Sequence, residues 1–247
     1  NIGYDVDNQT DEFKKLWPAN LHLIGKDIVR FHTIYWPCFL MSLDLPLPEK
    51  VFGHPFLIMA DGKMSKSKGN VINPDDIVER INGDLANILG NLVNRTISMS
   101  HKYFDGVVEN TRVSEDVDAT LIEKVEALPN LFKKKMDELR IADAIDEVLN
   151  CLRATNKYID DTTPWVLAKD ETKQDRLKTV LYNLIESIRI CTVYLQAFIP
   201  ETTEKIFNQI NTDLTSYEST KEFGQFKSGT VLNKPEILFA RIEKESE

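Results

Sequence analysis

Leu23-Ile24-Gly25-Lys26-Asp27-Ile28-Val29-Arg30-Phe31-His32 reads as a short strand that ends in glycine and opens at once into a helix. Asn20 to Ile24 alternates as a strand does and Gly25 ends it. Ile28, Phe31, His32 and Tyr35 then share a helical face, with Pro37 expected to kink or end the first part of that helix. This is the local signature of an α/β fold, in which ligands gather at the carboxyl ends of the strands. Asp27 on the first turn can accept from ribose hydroxyls, or simply cap the helix. His32 lies on the face of Ile28, either as a pocket residue or as a hydrogen-bonded core histidine.

Working outward, Val51 to Met59 is a β-type apolar run closed by the tight-turn pair Asp61-Gly62. Directly after it comes Lys63-Met64-Ser65-Lys66-Ser67-Lys68-Gly69-Asn70. Three lysines interleaved with hydroxyls and followed by glycine suit a phosphate clamp. The ammonium groups supply charge, the hydroxyls donate hydrogen bonds, and Gly69 permits unusual backbone angles. Displacement at a nucleotide α-phosphate builds negative charge on the phosphoryl oxygens and the leaving pyrophosphate, where such lysines stabilise it. A solvated surface turn is the plain alternative.

From Ile81 onward the pattern turns helical. Ile81, Leu85, Ile88, Leu89 and Leu92 form one stripe, and Ile141, Ile145, Val148, Leu149 and Leu152 a second. Leu177, Leu181, Leu184, Ile188, Leu195 and Phe198 form a third that ends at Pro200. Amphipathic helices joined by short polar links predict a bundle. Asn91 and Arg95, four apart, sit at the border of the first stripe and can point outward together. Asparagine offers donor and acceptor, and arginine a planar donor fork, which together suit the edge of an unstacked base. Pro164 can open a short helix carrying Trp165, whose indole is either a stacking platform or a plug of the bundle. Around Val231 to Ile242 the chain reads as extended.

Net charge is −9, with 9 Lys+Arg against 11 Asp+Glu over residues 1–80 and 21 against 28 over 81–247. This opposes non-specific RNA binding through a broad basic surface and by itself favours a protein that binds no nucleic acid; any RNA must be held by a few placed groups. Cys38, Cys151 and Cys191 are scattered through apolar helical patterns. They offer neither a zinc site nor a disulfide framework, and are expected to be buried thiols of a reducing cytoplasm. No apolar run reaches the length of a membrane span, and the start at Asn1 lacks the form of a signal peptide, so the chain is expected to be a cytoplasmic piece of something longer.

The residues after the Asp61-Gly62 turn match the KMSKS signature of class I aminoacyl-tRNA synthetases at all five letters. The run Leu23 to Pro37 is similar to the methionyl-tRNA synthetase family in particular. Asn91-Leu92-Val93-Asn94-Arg95 resembles that family's anticodon-reading helix, and Thr163-Pro164-Trp165-Val166-Leu167-Ala168-Lys169 its Pro-Trp segment. The resemblance covers nearly the whole chain. It implies a mainly α protein, with an incomplete Rossmann-type α/β catalytic segment over residues 1–79. A helical anticodon-binding domain over 80–224 and an extended segment over 225–247 would follow.

Carried over by position, Lys66 is the leading catalytic residue, with Lys63 as its helper. ATP would meet Gly25, Asp27, Lys63, Met64, Ser65, Lys66 and Ser67; methionine would meet Ile28 and His32; and the CAU anticodon would meet Asn91, Arg95 and Trp165. The implied activity is methionine–tRNA ligase, with ATP and Mg2+ as its nucleotide substrate, tRNA(Met) as partner, and no resident metal.

Two departures stand out. The HIGH-type motif and the rest of the first catalytic half are absent, so this chain alone is expected to be inactive. Asn73-Pro74-Asp75-Asp76-Ile77-Val78-Glu79-Arg80 also runs straight into Ile81-Asn82-Gly83-Asp84-Leu85, where the family has a strand-and-helix connection. A segment is therefore expected to be missing around Val78 to Arg80. A non-catalytic tRNA-binding module and a helical remnant without ligand are the rival readings. An exposed Trp165 favours the former.

Overall fold

The computed structural model describes residues 3–5, 7–55, 58–59, 62–63 and 74–243, with residues 58, 59, 62, 63 and 74 described by their backbone alone. The chain divides into two units, Asn1–Asn73 and Pro74–Glu247.

In the first unit, α1 (Asp11–Leu16) starts where the Thr10 hydroxyl accepts from the Phe13 N–H. An aromatic column of Tyr4, Phe13, Trp17 and Trp36 follows, its rings 5.3–6.3 Å apart. Strands β1 (His22–Gly25) and β2 (Val51–His54) pair in parallel, with Gly25 opposite His54. Parallel neighbours need a crossover, and residues 26–50 supply it. A 3-10 turn at Lys26–Ile28 and a π-helical stretch at Phe31–Tyr35 lead into α2 (Trp36–Ser42).

Pro37 lies in the first turn of α2, where its missing N–H costs nothing; the widened π turn before it takes up the change that a proline demands. Gly53 lets the crossover approach the sheet, since a Cβ there would stand 2.5 Å from Val29 Cγ2. The apolar run after residue 51 is two strands rather than one. It breaks at Pro55, and β3 (Ile58–Met59) then turns back on β4 (Gly62–Lys63), with Met59 opposite Gly62. Parallel strands are normally covered on both faces. Here Leu23, Phe31, Phe39 and Met41 are each more than half exposed. Cys38 is exposed too, contrary to the expectation of three buried thiols, because no described residue covers the face of α2 that carries it; Cys151 and Cys191 are buried.

The second unit is a helical bundle. Its first helix is unbroken but changes pitch: α3 (Pro74–Arg80), a π-helical stretch (Ile81–Gly90), then α4 (Asn91–Phe104). It therefore begins seven residues before Ile81. A left-handed Asp105 and then Gly106, at φ +83°, end α4; a Cβ on Gly106 would stand 2.6 Å from the His101 ring. Helices α5 (Asp116–Asp137) and α6 (Ile141–Thr162) form an antiparallel hairpin, closed by Leu139 at φ +59°. Helix α8 (Gln174–Leu195) runs through the centre, against α4, α5, α6, α7 (Pro164–Leu167) and α9 (Pro200–Gln209). Every residue of α8 from Thr179 to Leu195 is buried.

Burying charges there requires full pairing. Arg189 is completely buried and binds both oxygens of Glu186, the Leu214 carbonyl and Ser219. Glu186 Oε1 also accepts from the Gly224 and Gln225 N–H groups. Arg176 grips Asp118 with two bonds of 2.7 Å, and Tyr158 donates to the same carboxylate at 2.6 Å. The closing segment pairs β6 (Thr230–Val231) antiparallel with β5 (Val107–Val108). It ends with Ile242 exchanging two backbone hydrogen bonds of 2.9 Å with the Asn82 amide.

Candidate functional site

Each unit carries one candidate edge. In the first, the carboxyl ends of β1 and β2 bring Gly25 and His54 side by side, with Asp27 on the turn that follows. A Cβ on Gly25 would stand 2.7 Å from Asp27 Oδ1 and 3.8 Å from the His54 ring. Glycine thus leaves the backbone bare where the Asp27 carboxylate and the His54 imidazole converge. Sequence reading missed His54; the only signal for it was its place as the last residue of a strand.

His32 Nδ1 lies 3.0 Å from the Ile28 carbonyl, which fixes the ring over the helix turn, and its ring meets the His22 ring edge-on at 5.9 Å. Among the described residues His22 Nδ1 is buried without a hydrogen-bond partner. Ile28 is exposed. Lys63 is the last residue of the β3–β4 hairpin, and Met64, Ser65, Lys66 and Ser67 lie outside the described residues.

In the second unit the edge is built by α4, α6 and α7. Three contacts run in step along α4's helix and α6. Arg153 reaches Asp84 at 3.3 Å, the Asn156 amide donates to the Ile88 carbonyl at 3.1 Å, and Arg95 faces Asp160 at 4.0 Å. Numbers rise together on both helices, so the two run parallel and α6 finishes next to the turn that holds Arg95. Thr163, left-handed at φ +43°, ends α6, and Pro164 starts α7 in its first position. Trp165 follows with 41% of its surface open. It is not a plug of the core. Asn91 and Arg95 are also exposed, and among the described residues the Asn91 amide makes a long 3.5 Å contact to Asn87 Oδ1. An asparagine, an arginine and a tryptophan are thus exposed on this edge, the arginine facing Asp160.

In chain order, an α/β unit with Gly25, Asp27 and His54 at its strand ends precedes a helical bundle. Residues 2–81 match the family model described as tRNA synthetases class I (M), and residues 108–247 the one described as the anticodon binding domain of methionyl tRNA ligase. The chain belongs to the methionyl-tRNA ligase family.

It is 47% identical to the methionine–tRNA ligase of Caldanaerobacter subterraneus subsp. tengcongensis over 278 positions, covering 100% of this chain and 43% of that protein. The Bacillus subtilis enzyme is 45% identical over 280 positions, at 100% and 42% coverage. Among solved structures, Mycobacterium tuberculosis methionyl-tRNA synthetase bound by methionyl-adenylate superposes with a TM-score of 0.85 at 34% identity, over 95% of this chain and 52% of that one. The chain thus spans about half or less of the length of the relatives it matches. Each of the two relatives' alignments also runs some thirty positions longer than the chain itself.

Proposed function

We propose that this chain is the second half of a methionine–tRNA ligase, joining part of the nucleotide-handling site to the anticodon reader. The observation that carries the reading is the exposure of Asn91, Arg95 and Trp165 on the parallel α4–α6 edge. In the parent reaction, methionine carboxylate attacks the α-phosphate of ATP, and the methionyl group then passes to the 3′-terminal ribose of tRNA(Met).

Lys66 and Lys63 stabilise charge on the phosphoryl oxygens and pyrophosphate, with Met64, Ser65 and Ser67 completing the loop on the nucleotide. Gly25 and Asp27 take the adenosine portion, while Ile28 and His32 line an apolar pocket for the thioether. Among the described residues, no group of three or more His, Cys, Asp or Glu could hold a metal ion. Mg2+ enters this reading with the ATP, as its counterion. The catalytic part spans residues 1–79, the anticodon-binding part 80–224, and an extended closing part 225–247.

The exposed apolar faces of β1 and α2 support a missing first catalytic half that covers them. The surplus length of the relatives' alignments fits a segment lost from this chain, which we place around Val78 to Arg80 on the sequence junction there. Among the described residues no helix is long and apolar enough to cross a membrane, and a cytoplasmic site of protein synthesis fits the proposed reaction. The purified chain is expected to bind tRNA(Met) transcript with preference for CAU and to catalyse no methionine-dependent ATP–pyrophosphate exchange. Exchange above background would contradict the missing-half reading, and equal affinity for transcripts with altered anticodons would remove the anticodon role.

A further inference from the structure

On the solvent side of the α5–α6 hairpin lies a groove of about 360 Å³, lined by Val117, Thr120, Leu121 and Lys124 of α5 and by Ala154, Lys157, Tyr158 and Asp161 of α6. That volume falls within the range of small-ligand pockets, ~300–1,000 Å³, and admits one ribose-phosphate unit. Its floor is fixed, because the Tyr158 hydroxyl donates to Asp118 and accepts from the Asn183 amide. Its walls carry two exposed ammonium groups, one from each helix. Lys133, Lys178 and Lys221 elsewhere in the bundle are tied to carboxylates, whereas Lys124 and Lys157 form no ion pair among the described residues. Thr120 adds a hydroxyl donor. The one opposing group is Asp161, at the end of the groove nearest in sequence to Trp165.

We propose that Lys124 and Lys157 form a seat for an RNA sugar–phosphate unit, extending the reading edge of Arg95 and Trp165 onto the α5–α6 groove. The inference rests on the anticodon reading above and says where backbone affinity comes from in a chain of net charge −9. A sequence-blind ammonium pair supplies the electrostatic part of binding, and the exposed indole and its polar neighbours supply the choice of base. An apolar floor between two cations suits a ribose with its phosphate better than a planar base, which would need an open aromatic face. Here the aromatic ring is a buried tyrosine.

The test is the salt dependence of tRNA binding by the full chain, with CAU and altered-anticodon transcripts, from roughly 50 to 200 mM KCl. For the Lys124→Ala/Lys157→Ala double variant, the slope of log affinity against log salt should become shallower by about 1.4, at ~0.7 per lost contact to a single strand. Affinity should fall roughly ten-fold at the low-salt end while the preference for CAU is retained. The double Lys→Arg variant should keep the parental slope, and Asp161→Asn should tighten binding two- to five-fold. An unchanged slope in the double alanine variant overturns the proposal. So does a slope that falls equally in the double arginine variant. If the parent chain shows no anticodon preference, the anticodon reading fails separately, while the slope comparison still decides this one.

Discussion

Arg95 on α4 and Asp160 on α6 face each other at 4.0 Å with side-chain exposures of 46% and 70%. A pair so open to water is worth only about 0–1 kcal/mol. It therefore orients the guanidinium without locking it. Asp160→Asn is expected to leave thermal stability within about 0.5 kcal/mol of the parent and to tighten binding of a CAU anticodon stem-loop about two- to five-fold, as measured by fluorescence titration. A loss of affinity would mean that the carboxylate holds Arg95 in its working position.

Trp165 lies on the rim, so its removal should cost binding and not folding. Trp165→Ala is expected to weaken the CAU stem-loop by about 1–3 kcal/mol, the value of one base stacked on an aromatic ring. The melting temperature should change little. Trp165→Phe should recover part of the loss, which a purely packing role would not produce.

The Asp118–Arg176 pair is buried and bidentate, and so behaves in the opposite way. Burial raises the Asp118 pKa, but bonds from Arg176, Tyr158 and the Glu115 N–H outweigh it and hold the carboxyl below its ordinary value of 3.8. The unfolded chain therefore takes up this proton first. The pair's contribution is complete above the ordinary value and is lost as pH falls through the lowered one. Asp118→Asn should cost about 3–5 kcal/mol in urea unfolding at neutral pH and should flatten the acid limb of stability against pH.

Tyr182 contributes to the alkaline limb together with Tyr158 and Tyr194, whose pKa values burial also raises. The Tyr182 hydroxyl lies within hydrogen-bond reach of the carbonyls of Gly224 and Phe226, at 2.8 and 2.7 Å. Burial first, and the nearby Glu186 carboxylate second, push its pKa up to about 12 from 10. A raised tyrosine favours the folded state below the ordinary value, and that advantage disappears as pH climbs from 10 to about 12. Tyr182→Phe should cost about 1–3 kcal/mol at neutral pH through the unpaired carbonyls and make unfolding less pH-dependent in that window.

The helices were legible because their stripes are long: Leu177 to Phe198 spells a buried face at every turn. The stripe did not show that α8 is enclosed on all sides. Glu186 and Arg189 lie at its centre, satisfied by partners that come from residues 214–225. Short elements were harder to read. Pro55 was the local mark that the apolar run from Val51 to Met59 is two strands, and reading the run as one passed over it. Asn91, Arg95 and Trp165 could be singled out by type and spacing. Asp160, which faces Arg95, and the lysines of the α5–α6 groove depend on a helix alignment that only the fold supplies.

The carboxylate of Glu186 holds the peptide N–H groups of residues 224 and 225 from inside the bundle. Anyone shortening the gene from its 3′ end therefore meets a threshold there. Cutting after residue 223 leaves that buried carboxylate to Arg189 alone and also takes away the buried Phe226 and Leu232.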